Sequence, residues 1–230
     1  MSTSRTISKF LVAGMAIGSA AIAAYVRRVR PWLMHWGSRG AEVRLALPGD
    51  ELVPHPKSSA THAVSIHAPA SEVWAWLVQM GQGRGGFYSY DCIENWMGLD
   101  IHNADRILPE FQNLKVGEQV PLAPGGFGVP VAILEPCRTL VLHGDTRLDP
   151  TGIPTLRSGD FFNVSWGWFV EQVDDQTTRL IERWRADWNP SPQNTLFMRL
   201  FLEPGAFLME RKMLLGIKER AETPRLWDAV

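Results

Sequence analysis

The stretch from Phe161 to Trp188 constrains this chain more than any other. Residues 161–173 alternate, with Phe162, Val164, Trp166, Trp168 and Val170 on one face and Asn163, Ser165, Gly167 and Glu171 on the other. Residues 177–188 repeat the pattern, setting Leu180, Glu182, Trp184, Ala186 and Trp188 against Arg179, Arg183, Arg185 and Asp187. A period of two marks a strand with one face on a core. Asp174-Asp175-Gln176 between the two runs has the composition of a hairpin turn. The expectation is a long antiparallel hairpin with an aromatic inner face, which the rest of the chain must cover.

The cover is read from the flanks. Thr61–Ala68 alternates like a strand, and Pro69-Ala70-Ser71-Glu72 opens a helix with Ser71 as its N-cap and Val73, Trp74, Trp76, Leu77 and Met80 as its apolar side. The run 81–86 stops that helix, and 88–97 reads as a second short one ended by Gly98. Short apolar runs at 116–122, 129–135 and 138–143, separated by Pro and Gly, read as strands. Residues 195–222 are helical, with a kink or restart forced at Glu203-Pro204-Gly205. Strand, two short helices, antiparallel strands and a long C-terminal helix predict an α+β helix-grip fold, a curved antiparallel sheet wrapped around that helix. At 230 residues with 45% hydrophobic and 20% charged content, the chain supports one well-buried core.

The N-terminus reads differently. Phe10 to Val26 is seventeen residues without a charge, at the lower limit for spanning a bilayer core of ~30 Å. Arg5, Lys9, Arg27, Arg28, Arg30 and Arg39 occur with no acidic residue in 1–39, and Trp32 and Trp36 stand where an interfacial belt would sit. The expectation is an N-terminal hydrophobic helix that anchors a single-pass membrane protein through residues 10–26, with its domain on the cytoplasmic side. A signal sequence cleaved near Ala21-Ile22-Ala23 and a buried helix are the alternatives. The division expected is 1–36 anchor, 37–60 linker or strap rich in Pro, Gly and Ser, 61–222 ligand-binding domain and 223–230 tail. The body beyond the anchor is mildly acidic, which argues against nucleic acid as a partner. Cys92 and Cys137 are the only cysteines, so neither a disulfide framework nor a structural metal is expected. Oligomeric state is left open.

The stretches 61–81, 83–107, 115–126 and 203–222 resemble the SRPBCC superfamily, which shares the START/Bet v 1-like helix-grip fold; 83–107 and the C-terminal end are similar to one bacterial branch without an assigned role. The resemblance covers about residues 60–222 and implies a cavity for a hydrophobic ligand. It does not imply a reaction, because carriers, receptors and cyclases share the fold.

Candidate chemistry is sparse. Gly81-Gln82-Gly83-Arg84-Gly85-Gly86 matches GxGxxG, but a helix precedes it and antiparallel strands follow, so it reads as a turn and no nucleotide cofactor is expected. The predicted pocket lining is Phe87, Tyr88, Tyr90, Trp166, Trp168, Glu182, Trp184, Met209 and Met213. Glu182 falls among tryptophans, placed to act as a general acid/base, to fix a polar ligand group, or simply to form a structural ion pair. Asp91 and Glu94 share one side of a predicted helix, and His102, Asn103, Asp105 and Arg106 form the densest polar group. Glu182, His102, Asp105 and Arg106 are therefore the catalytic candidates, and none of them completes a metal site. On the C-terminal helix, Phe207, Met209, Met213, Leu214 and Ile217 form the apolar side, with Glu210, Arg211 and Lys212 assigned to the rest. Three functions remain: membrane-tethered binding or transport of an apolar small molecule such as a lipid, isoprenoid or polyketide-like compound; a cyclase/aromatase- or dehydratase-like enzyme; and a structural or regulatory membrane protein whose cavity is filled by its own side chains.

Overall fold

The computed structural model describes residues 23–149 and 159–223. Six strands form one antiparallel sheet in the order β1-β6-β5-β4-β3-β2. They are β1 (Ser58–Ile66), β2 (Gln119–Pro121), β3 (Gly128–Glu135), β4 (Thr139–Asp145), β5 (Phe162–Asp174) and β6 (Thr177–Trp188). The described helices are α1 (Arg30–Met34), α2 (Gly40–Arg44), α3 (Ala70–Val78), α4 (Asp91–Trp96), α5 (Pro192–Phe197) and α6 (Glu203–Glu222). Sheet and C-terminal helix enclose one core, in which Ile66, Leu77, Leu140, Leu142, Trp168, Leu180, Met213, Leu214 and Ile217 are fully buried. The fold is a helix grip.

The hairpin runs in the register that its alternation demands, pairing Trp166 with Trp184 and Trp168 with Glu182. β1 adds on the other side of β6, pairing His62 with Glu182. Leu140 and Leu142 of β4 lie opposite Trp168 and Trp166. Alternation thus carries a row of aromatic side chains, one carboxylate and one imidazole to the inner face.

Two helix ends differ from expectation. α3 starts from Pro69 in an extended conformation, so Ser71 lies inside the helix and not at its N-cap. The C-terminal helix begins earlier than expected, at Pro192, where the Ser191 side chain accepts from the Asn194 amide at 3.0 Å. It continues to Glu222 without a break, because residues Met198–Leu202 take a π-helical turn just before Pro204. The wider turn accommodates the missing amide of proline, where a kink was expected. Gly216 lets α6 approach the Tyr88 backbone: a Cβ there would fall 2.3 Å from the Tyr88 carbonyl oxygen.

The outer face of the hairpin is also covered. Residues 37–56 cross it, burying Val141, Phe169 and Ile181 against Leu47 and Leu52. The arginines that alternation places outside are tied into this crossing. Arg179 grips both oxygens of Glu42 at 2.8 and 2.9 Å. Arg183 donates to the carbonyls of Glu42, Val43 and Leu45, to Asp50 and to Thr61.

The expected single-pass membrane placement is corrected: among the described residues, no helix is long and apolar enough to cross a membrane. Of the anticipated hydrophobic helix over 10–26, residues 10–22 lie outside the described residues. Three of the flanking groups read as membrane-facing contact the C-terminal helix. Arg30 forms a two-pronged ion pair with Glu203 at 2.7 and 2.8 Å. Trp32 and Trp36 stand edge-on to Phe207, at 5.2 and 6.4 Å between ring centres. An amphipathic basic segment can serve the core of its own protein as readily as a bilayer, and composition does not distinguish the two.

Candidate functional site

Across the middle of the grip lie three ionisable side chains from three elements. His62 (β1) and Glu182 (β6) are fully buried, and Glu210 (α6) is 7% exposed. His62 Nδ1 is 2.9 Å from Glu182 Oε2 and 3.3 Å from Glu210 Oε2. Its Nε2 lies 2.8 Å from the Leu33 carbonyl, an acceptor only, so that nitrogen carries a hydrogen. Two indoles complete the set: Trp166 Nε1 donates to Glu182 Oε1 at 2.5 Å and Trp184 Nε1 to Glu210 Oε2 at 3.1 Å.

The electrostatics follow from burial. Loss of solvent opposes charge on the His62 ring, but the hydrogen bonds and charges of Glu182 and Glu210 outweigh it and carry its pKa to about 10. Burial pushes Glu210 up, the Glu182 charge pushes it further, and His62 with Trp184 partly offsets both, leaving it at about 7. The group is therefore a doubly donating imidazolium between two carboxyls, the outer of which takes or releases a proton near neutrality. The same three residues offer ligand atoms within 4.8 Å of one another, the one such His/Cys/Asp/Glu group among the described residues. Only with His62 deprotonated at Nδ1 would one imidazole and two carboxylates suit a divalent first-row ion.

Two adjoining chambers open against this group. One of about 250 Å³ is lined by Phe87, Glu94, Ile101, Trp166, Met209 and Met213 among others. The second, about 330 Å³, lies against Phe127, Val129, Leu142, Val164, Trp166 and Trp184. Leu122, Trp166, Ala206 and Glu210 belong to both walls. The chambers bracket the lower bound of ~300 Å³ usual for ligand sites, and they share a wall, so the grip is not filled by its own tryptophans. Glu210 is the carboxyl that both chambers meet.

The expected lining divides accordingly. Phe87, Trp166, Met209 and Met213 line the smaller chamber, and Trp166 and Trp184 the larger. Glu182 accepts from Trp166 and reaches His62, so its ion-pair partner is a histidine. Trp168 is buried against Trp166, ring centres 4.5 Å apart. Tyr88 turns into the core, donating to the Trp76 carbonyl at 3.0 Å with its ring edge-on to Trp76. Tyr90 precedes α4 and lines neither chamber.

The polar group at 102–106 is on the surface. His102 pairs with Asp100 at 3.0 Å and its side chain is 81% exposed. Asp105, 92% exposed, meets Arg220 at 3.1 Å, and the Arg106 carbonyl accepts from Gln79. Asn103 alone turns inward, its Oδ1 accepting from the Tyr88 amide at 2.6 Å. Gly81 and Gly86 bridge one another in a tight loop after α3, so the GxGxxG match is a turn. Asp91 and Glu94 separate: Asp91 is exposed, whereas Glu94 is buried at the chamber wall.

Two functional residues escaped the sequence reading. His62 lies in the 61–68 alternation on the same face as Val64 and Ile66, which is the signal for an inward imidazole. Glu210 was assigned to the polar side of its helix, and that is corrected here. It stands three residues after Phe207 and three before Met213, on the buried stripe.

No family model matches the chain, and no curated protein sequence does. Solved structures show distant likenesses. A hypothetical protein from Helicobacter pylori is 13% identical, with a TM-score of 0.46 over 77% of this chain and 95% of that one. Protein MLL2253 from Mesorhizobium loti is 14% identical, with a TM-score of 0.42 over 74% of this chain and 100% of its own. The di-domain ARO/CYC BexL from the BE-7585A biosynthetic pathway is 15% identical, with a TM-score of 0.40, covering 72% of this chain and 46% of that one. Likenesses this weak say nothing about ligand or reaction, which rest on the chambers and the buried triad.

Proposed function

We propose that the protein binds an apolar small molecule of the lipid, isoprenoid or polyketide-like kind, as a divergent member of the SRPBCC superfamily. The observation that carries this reading is the pair of adjoining apolar chambers, which share Trp166, Leu122 and Ala206 and meet at the single carboxyl of Glu210. An apolar body gains from leaving water for such walls, at about 25 cal/mol per Å² buried, and one polar group sets its orientation. Glu210, held by Trp184 and His62, is pre-organised for that contact.

Native mass spectrometry of protein purified from producing cells, followed by small-molecule analysis of the released fraction, tests the reading. An apolar compound retained at one per chain is expected. Protein that carries none, and that no apolar compound stabilises against heat, contradicts it.

A specific observation also favours a catalytic version. A carboxyl whose pKa lies near 7, on the wall of both apolar chambers and backed by an imidazolium, is a proton donor and acceptor of the strength that cyclisation or dehydration needs. Glu210, and not Glu182, is then the residue that meets the ligand. Once a converted compound is identified, turnover by Glu210→Gln at the wild-type rate removes this version and leaves the binding function standing.

A further inference from the structure

The smaller chamber holds an acid that the triad does not explain. Glu94, on α4, is 6% exposed, and its Oε2 is buried with no hydrogen-bond partner. A buried carboxylate oxygen left unpaired costs stability in the free protein, and a ligand that satisfies it recovers that cost on binding. Burial first, and then the charge of Asp91, push Glu94 up to about 7, as befits an acid without a counter-charge. No lysine, arginine or histidine lines this chamber, and its second carboxyl is Glu210. The Ser89 hydroxyl is already committed to the Met209 carbonyl at 3.1 Å. With Glu94 and Glu210 ionised, the chamber offers acceptors and no strong donor.

Its aromatic side has the same preference. Phe87 and Trp166 both line it, their rings stacked with centres 6.2 Å apart. Aromatic faces attract cations most strongly where water is excluded. Once ionised, Glu94 with its orphaned oxygen, together with the two rings around an apolar space, selects for a positive, donor-rich group at the end of an apolar body. An ammonium carries both charge and several donors; an alcohol carries one donor and no charge; a carboxylate repels.

We propose that the smaller chamber recognises the amino group of an apolar amine, with Glu94 taking its N–H donors and Phe87 and Trp166 facing its positive charge. This rests on the grip being an apolar-ligand site and adds the class of head group.

The test compares decylamine, decanol and decanoate, below their micellar concentrations, by calorimetric titration of the full chain at about pH 8, where the chamber acids are ionised and the amine is still an ammonium. Decylamine is expected to bind about tenfold more tightly than decanol, as a charge-assisted hydrogen bond exceeds a neutral one, with decanoate the weakest. In Glu94→Gln the amine's advantage over decanol, both measured on the variant, should fall to within about twofold. Equal affinities for amine and alcohol, a preference for decanoate, or an advantage that survives in Glu94→Gln would overturn the amine assignment and leave the apolar site intact. Failure of all three to bind would instead bring down the apolar-ligand reading itself. The wild-type series decides even where the variant does not fold.

Discussion

His62 and Glu182 face each other directly across the β1–β6 ladder, with Nδ1 and Oε2 2.9 Å apart and neither side chain in contact with solvent. The Leu33 carbonyl fixes the far side of the ring, and Trp166 holds the second oxygen of the acid. Glu210 then approaches from the helix at 3.3 Å. An ion pair made by sheet residues is therefore closed by a residue of the gripped helix, and the ligand chambers lie on that side.

Removing the cation should be far more damaging than removing the outer acid. His62→Phe leaves Glu182 buried without its counter-charge, which costs about 3–5 kcal/mol. Glu210→Gln keeps shape and a polar group while removing a charge repelled by Glu182, so it should cost about 1 kcal/mol or less. Urea unfolding midpoints of the two variants give the comparison; equal losses would show that the triad is not organised around His62.

Stability should fall as pH rises from mildly acidic to alkaline. Glu210 and Glu94 both have folded pKa values raised from 4.5 to about 7, so the stability each contributes is complete below the unfolded value and disappears as pH passes through about 7. His62 is raised from 6.5 to about 10, so its contribution is complete below 6.5 and is lost as pH climbs through about 10. All three have the same sign: the native state binds protons more strongly. The folded state should therefore be more stable near pH 5.5 than near pH 9, by on the order of a few kcal/mol, with a correspondingly higher melting temperature, and Glu210→Gln should flatten the part below about 7. A melting temperature that rises over this range would refute the protonated triad.

The crossing of residues 37–56 over the outer face depends on a planar fork. Arg183 reaches three carbonyls, Asp50 and the Thr61 hydroxyl, a set of partners that one ammonium cannot meet. Arg183→Lys is expected to destabilise by about 2 kcal/mol or more, through buried carbonyls left without donors. The exposed equivalent at Arg44 should tolerate lysine within about 0.5 kcal/mol. Denaturant titration of both variants measures the difference.

Much of the grip was legible because the hairpin obeys a strict period of two. Trp166, Glu182 and Trp184 were placed inward correctly, and Thr177–Trp188 forms a strand as expected. The cover over the outer face was not legible. Residues 37–56 are irregular and Pro/Gly-rich, and their role rests on Glu42 and Asp50 meeting arginines more than 130 residues away. The triad was hidden for a related reason: each member is a lone polar residue on an apolar stripe, and only the strand register and the helix approach bring them together. The dense polar run at His102–Arg106 misled in the opposite way. Polar residues crowded in sequence are more often solvated than convergent, and here His102 and Asp105 face outward.

The central claim is that the chambers beside Glu210 hold an apolar molecule. Ala206 belongs to both walls, one helical turn before Glu210, so Ala206→Phe fills the shared space while leaving all three triad side chains in place. Calorimetric titration of decanol into the wild type and this variant tests the claim directly. The wild type should bind at one site with a negative heat-capacity change, the mark of apolar burial. The variant should fold with an unchanged melting temperature and bind at least about tenfold more weakly. Equal binding by a folded Ala206→Phe would place the ligand elsewhere, and no binding by the wild type would contradict the function itself.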